Sequence, residues 1–133
     1  MKKILILISS ILLSTSLMAA GGDGGSSSSG NGGSKASLYD DAVKLVKRAG
    51  KLEKNEKTEK AKKLYSQAFN KLEKAYKSDK KNPDVLNYMG FTSRKIGNFE
   101  KAEEFYLKGL SIKPNHNGIN EYLGELYVQT NRI

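Results

Sequence analysis

The 133 residues contain no cysteine, no tryptophan, a single histidine and only two prolines. Without cysteine there is no disulfide, no thiolate nucleophile and no lipid-carrying cysteine of the bacterial lipoprotein kind. One histidine, His116, cannot supply the several convergent ligands that a metal site needs, so neither a metal nor a cofactor is expected. No nucleophile elbow or base–nucleophile spacing is present. Acidic pairs such as Glu103-Glu104 stand among lysines, and neighbouring helix positions point in different directions. The chain reads as non-enzymatic. Strands of alternating apolar and polar residues are missing too, and the only sustained periodicity is helical.

The N-terminus is the one strongly apolar stretch. Met1-Lys2-Lys3 precedes "ILILISSILLSTSLMAA", a charged start, an apolar middle and a small-residue end, which is the layout of a secretory signal peptide over residues 1–20. Serines and Thr15 interrupt the run, which falls short of the ~20 mostly apolar residues of a spanning helix. Cleavage is expected near Ala19 or Ala20, with an uncleaved anchor as the other reading. The short Lys-Lys start looks bacterial, which places the mature protein in the periplasm or outside the cell. "GGDGGSSSSGNGGS" at 21–34 then has too little apolar surface to offset the entropy of ordering it, and is expected to be a disordered Gly/Ser linker. It follows no strand, as a phosphate-binding glycine loop would, and Asp23 lacks the further acids of a calcium loop.

The folded domain is therefore expected over 35–133, and its charge is unevenly divided. Between Lys35 and Lys81 fifteen Lys/Arg meet seven Asp/Glu, a balance of +8, whereas from Asn82 to Ile133 six of each cancel. Apolar residues recur at helical spacing. Leu38, Ala42, Leu45, Val46 and Ala49 form one stripe, with Ser37 placed to cap it and Asp40 and Asp41 in its first turn. Gly50 either ends or weakens that helix. A second helix from about Thr58 to Ser78 carries Ala61, Leu64, Tyr65, Ala68, Leu72 and Ala75. Asn82-Pro83-Asp84 signals a third start, with a capping side chain, a proline where its missing N–H is harmless, and an acid in the first turn. Gly97-Asn98 breaks the chain and restarts it, and Pro114 stops the fourth helix.

A shift of 34 residues places Val85 on Ile119, Tyr88 on Tyr122, Met89 on Leu123 and Gly90 on Gly124, and in the other direction Phe99 on Tyr65 and Ala102 on Ala68. Matches on both sides mean an internal repeat. Gly90, Ala102 and Gly109 fall on buried sides of their helices, where only small residues let neighbouring helices approach closely. The pattern Ala61-Tyr65-Ala68 recurs seven residues on as Ala68-Leu72-Ala75, so the helix holding both is expected to be about two turns longer than its downstream equivalent.

This helix–turn–helix unit, with Leu86, Met89, Gly90, Ala102, Tyr106, Gly109 and Pro114 at the expected spacings, resembles the tetratricopeptide repeat family. Residues 83–116 match nearly throughout, except that Ser93 replaces the usual tyrosine. An irregular long hairpin at 37–81 precedes this full repeat. An incomplete repeat at 117–133 follows, with Gly124 and Tyr127 in place. The resemblance implies an all-α fold of hairpins stacked as a short right-handed α-solenoid. It also implies protein or peptide binding in a groove lined by the first helix of each pair, at Asp84, Asn87, Phe91, Arg94, Lys95, Glu121 and Glu125. Phe91 is either an apolar anchor for a ligand or packing against the next repeat. Asn87, Arg94 and Lys95 either hold a carboxylate or form a solvated polar face.

The basic half, 35–81, supports a different expectation: electrostatic contact with membrane headgroups or a cell-wall polymer. Pairs such as Glu53–Lys57 and Glu56–Lys60 would moderate its charge. Nucleic acid is not expected as a partner of an exported protein. Ile119, Leu123, Leu126 and Tyr127 are expected to lack a covering helix, so that self-association or fraying occurs at the last repeat.

Overall fold

The computed structural model describes residues 35–133; the segments read as signal peptide and linker lie outside them. Five helices follow in order, α1 (Lys35–Lys54), α2 (Thr58–Ser78), α3 (Pro83–Lys95), α4 (Phe99–Ile112) and α5 (Asn117–Gln129), with no strand among the described residues. Such short connections make consecutive helices antiparallel neighbours. Each helix packs on the next, and α3 also touches α1 and α5, so α1, α3 and α5 form one layer and α2 and α4 back it.

The sequence signals account for most boundaries. Asn82 Oδ1 accepts from the backbone N–H of Asp84 at 3.0 Å and of Val85 at 3.3 Å, and Asn98 Oδ1 accepts from that of Lys101 at 3.4 Å. α1 departs from expectation at its start: it begins at Lys35, so Ser37 lies inside the first turn and Asp40 and Asp41 lie beyond it.

One turn design closes three helices. The N–H of Lys57 donates to Leu52 O, that of Asn98 to Ser93 O and that of Arg132 to Tyr127 O, at 2.8–2.9 Å. The residue before each donor is left-handed: Glu56 at φ 58°, Gly97 at 90° and Asn131 at 55°. Gly97 and Asn131 are 34 positions apart, but Glu56 precedes Gly97 by 41. α1 has 20 residues against 13 in α3, and α2 has 21 against 14 in α4, so both helices of the first hairpin are longer by seven, not the second alone. Ala42 and Ala49 on α1 and Ala61, Ala68 and Ala75 on α2, all at most 3% exposed, repeat at that interval. Seven residues are nearly two whole turns, so the added length leaves the seam in register. The hairpin end extends by about 10 Å.

A left-handed glutamate is costly where glycine is not. In urea unfolding, Glu56→Gly is expected to raise stability by up to ~1 kcal/mol and Gly97→Ala to lower it by about 1 kcal/mol.

The small residues sit where helices cross. A β-carbon on Gly90 would stand 2.6 Å from Cδ1 and 2.8 Å from Cζ of Tyr106, and one on Gly109 would collide with Ile119 Cδ1 and lie 3.5 Å from Leu86 Cβ. Leu86, Met89, Ala102 and Tyr106 are buried around them, and Pro114 lies in the turn after α4. Gly124 matches Gly90 in spacing but meets nothing within 4 Å.

The expected bare face of α5 is not there. Ile119 and Leu126 are fully buried and Leu123 is 8% exposed, because Ala102 and Tyr106 of α4 pack on them. Tyr127 donates to Glu103 Oε1 at 3.2 Å and lies under the Arg132 guanidinium. The outward side of α5 carries Asn120, Glu121, Gly124 and Glu125, with Val128 as its exposed apolar residue. Self-association through an uncovered apolar stripe therefore loses the surface it was argued from.

Candidate functional site

On α3, Asp84, Asn87, Tyr88, Phe91, Arg94 and Lys95 follow one another at intervals of three, one, three, three and one, a single stripe of the helix. Aromatic rings run along this stripe and across to the neighbouring helices. Tyr39 of α1 meets Tyr88 edge-on at 5.8 Å between ring centres, Tyr88 meets Phe91 at 6.4 Å, and Phe91 meets Tyr122 of α5 at 4.9 Å. Tyr65 of α2 reaches Phe91 from behind at 6.0 Å. Tyr39, Tyr88 and Tyr122 are not among the groove residues that the repeat pattern implies; the coincidence of Tyr88 with Tyr122 at 34 residues is the signal in the sequence that points to them.

Of the two readings of Phe91, the structure shows packing. Its ring touches Tyr65, Tyr88 and Tyr122, and Arg94 Cζ and Lys95 Nζ each lie 5.6 Å from its centre. Both cations already have carboxylates. Arg94 Nη2 donates to Glu125 Oε2 at 2.6 Å and Nη1 to Gln129 Oε1 at 3.4 Å; Lys95 Nζ donates to Glu53 Oε2 at 2.9 Å, which also accepts from Tyr65 Oη at 2.8 Å. A carboxylate-binding trio of Asn87, Arg94 and Lys95 would have to displace these bonds. Neither Glu53–Lys57 nor Glu56–Lys60 is an ion pair, because α1 ends at Lys54 and the left-handed turn at Glu56 removes the shared helix face.

Asp84 and Asn87 face α5. Asp84 Oδ1 accepts from His116 Nε2 at 2.8 Å, while His116 Nδ1 accepts the N–H of Ile119 at 3.1 Å and so caps α5. An Nδ1 that accepts leaves the ring proton on Nε2. No three His, Asp or Glu side chains converge on a metal position among the described residues. Asn87 is 6% exposed, its Oδ1 has no hydrogen-bond partner, and a β-carbon on Gly118 would come within 2.9 Å of its Nδ2. Glu121 is exposed and in no ion pair.

The tyrosines register this environment. Burial, then the nearby Tyr88, Asp84 and Asp40, push the Tyr39 hydroxyl up from 10.0 to about 12. Burial together with Tyr88, Glu121 and Glu125 also raises Tyr122, against a smaller opposing effect of Arg94. Tyr65 and Tyr106 are raised mainly by burial and Tyr127 by burial and Glu103. A folded-state value above the unfolded one stabilises the fold below the unfolded value, and that stability is lost as pH rises through the folded value. Stability is thus expected to be flat with respect to these groups below pH 10 and to fall from 10 towards 12. Ionisation of these five tyrosines, followed residue by residue in NMR spectra at alkaline pH, should appear together with loss of helical circular dichroism, not before it.

A family profile, the tetratricopeptide repeat, matches residues 83–116. That span, α3 to the end of the turn after α4, is similar to a tetratricopeptide repeat. The matched span is α3, its turn, α4 and the connection ending at His116, so the site stripe lies on the first helix of the repeat. No curated protein matches the chain. Tetratricopeptide repeats generally mediate protein–protein interaction, and typically do so without catalysis.

Proposed function

We propose that the protein is a non-enzymatic interaction module of the bacterial cell envelope, which binds a peptide or an extended segment of a partner protein along the layer of α1, α3 and α5. The observation that carries this reading is the aromatic strip from Tyr39 through Tyr88 and Phe91 to Tyr122, half-buried and crossing all three helices of that layer. Aromatic rings give large contact area at little entropic cost and are enriched where partners dock. Export rests on the signal-peptide reading of residues 1–20. The test is binding to an array of random peptides by the full chain and by Tyr88→Ala/Tyr122→Ala. The reading expects the variant to keep its helical spectrum and lose the bound set; an unchanged set contradicts it.

A second reading is supported by the first hairpin. Lys47, Arg48, Lys51, Lys54, Lys57, Lys60 and Lys63 are exposed and in no ion pair. This unbalanced charge suits attachment to an anionic surface. Binding to phosphatidylglycerol vesicles would then collapse as salt rises from ~0.05 to ~0.5 M, where screening shortens to a few Å. The same binding would be insensitive to Tyr88 and Tyr122.

A further inference from the structure

In the first hairpin, extra length and extra charge coincide. The seven added residues of each helix sit at the turn end: the 34-residue register that puts Ala68 on Ala102 holds for the rest of α2, and Lys95, the last residue of α3, lies over the ring of Tyr65. Residues 48–54 of α1 and 58–64 of α2 therefore run on past the end of α3, joined by the turn at 55–57. Across 48–64 seven Lys/Arg meet three Glu, a balance of +4 out of the chain's +9.

Pairing within the chain sharpens this excess. Glu53 is taken by Lys95, from outside the segment, and Glu59 by Lys62 at 3.8 Å. Arg48, Lys51, Lys54, Lys57, Lys60 and Lys63 are left exposed and in no ion pair, with Glu56 as the free carboxylate among them. None of 48–64 is aromatic, and none is an exposed large apolar residue, since Leu52 and Leu64 pack on the core. The segment thus has no ring platform for bases and no wedge for acyl chains. It is a projecting end, not a channel, which suits a plane of charge better than a single anionic strand.

We propose that the chain attaches end-on to anionic lipid headgroups through this hairpin tip, leaving the aromatic strip open to a second partner. This rests on the attachment reading above and narrows it from the basic half to 48–64. Tyr39, where the strip begins on α1, is 15 residues from Lys54, about 22 Å along the helix, so the two surfaces do not compete. Each lysine or arginine held at such a surface contributes about fivefold in affinity, so the six free cations act together as a salt-sensitive anchor.

The experiment is sedimentation of the full chain with vesicles of phosphatidylcholine carrying about a third phosphatidylglycerol. Affinity is read relative to phosphatidylcholine alone, so that uptake by the apolar residues 4–20 cancels. Lys54→Gln/Lys57→Gln/Lys60→Gln should lose roughly a hundredfold. Lys74→Gln/Lys77→Gln/Lys80→Gln removes the same charge from exposed, unpaired lysines at and beyond the other end of α2, and should lose less than about fivefold. Tyr88→Ala/Tyr122→Ala should bind as the unaltered chain does; a loss there means that the strip is covered and overturns end-on attachment. No preference for the mixed vesicles overturns the attachment reading and the tip with it. Equal losses in the two lysine triples overturn the tip and leave the attachment reading standing. Release from the vesicles by soluble poly(glycerol phosphate) at equal phosphate overturns the bilayer as the occupant.

Discussion

Gly90→Ala destabilises the fold by about 1–3 kcal/mol, although alanine is the better helix former by up to ~1 kcal/mol. The reason is the Tyr106 ring, whose Cδ1 and Cζ lie 2.6 and 2.8 Å from where the new β-carbon would be. Tyr106 is fully buried and held between α3 and α5, so it has nowhere to move. Urea unfolding measures the loss. Enlarging the space should recover it: in Gly90→Ala/Tyr106→Leu the two changes are expected to be less harmful together than their sum by about 1 kcal/mol or more. A fully additive pair would mean that the glycine serves some other purpose.

Tyr106→Ala has the larger effect, about 3–5 kcal/mol, the usual cost of removing a fully buried aromatic side chain. The hydroxyl contributes little of that. Tyr106 Oη and Arg94 Nε are both buried without a well-formed hydrogen bond, and the guanidinium bears on the hydroxyl only weakly against its burial, so the ring, more than the oxygen, is what the packing uses. Tyr106→Phe is expected to be neutral or to stabilise by up to ~1 kcal/mol, since it removes an unsatisfied buried polar atom. Because the ring touches both the Gly90 crossing and the α5 core, Tyr106→Ala should also expose Ile119 and Leu126. Faster amide exchange confined to α4 and α5 would show this at mild urea, before global unfolding.

Local chemistry made the fold legible, and distance in sequence set the limit. Asn82-Pro83, Gly97-Asn98 and Pro114 act on the chain within a few residues, so they mark α3 and α4 closely. Gly90 and Gly109 were readable because a glycine inside an apolar stripe has few explanations other than close approach. Gly50 obscured the length of α1, since the cost of a mid-helix glycine is local whereas its compensation, the Ala42–Ala49 seam against α2, is tertiary. His116 was missed as a cap because histidine is outside the usual capping residues, and its second bond goes to Asp84, 32 positions away.

In the site, the stripe on α3 could be laid out from the repeat, but its electrostatics could not. Pairs within one helix suggested Glu53–Lys57; the structure pairs Glu53 with Lys95 across 42 positions and Arg94 with Glu125 across 31. Those two pairings satisfy the two cations of the stripe within the chain. The coverage of α5 is hidden for a similar reason: α4 presents Ala102 and Tyr106 to α5, which the pattern of α5 alone does not reveal.

The claim beneath the site is that α1, α3 and α5 lie side by side with their tyrosines in one row. Nuclear Overhauser contacts between aromatic side chains test it most directly. The structure predicts cross-peaks linking Tyr39 with Tyr88 and Phe91 with Tyr122, whose ring centres are 5.8 and 4.9 Å apart. A helical, folded chain that shows the backing contact of Phe69 with Phe105 but neither of those two would contradict it.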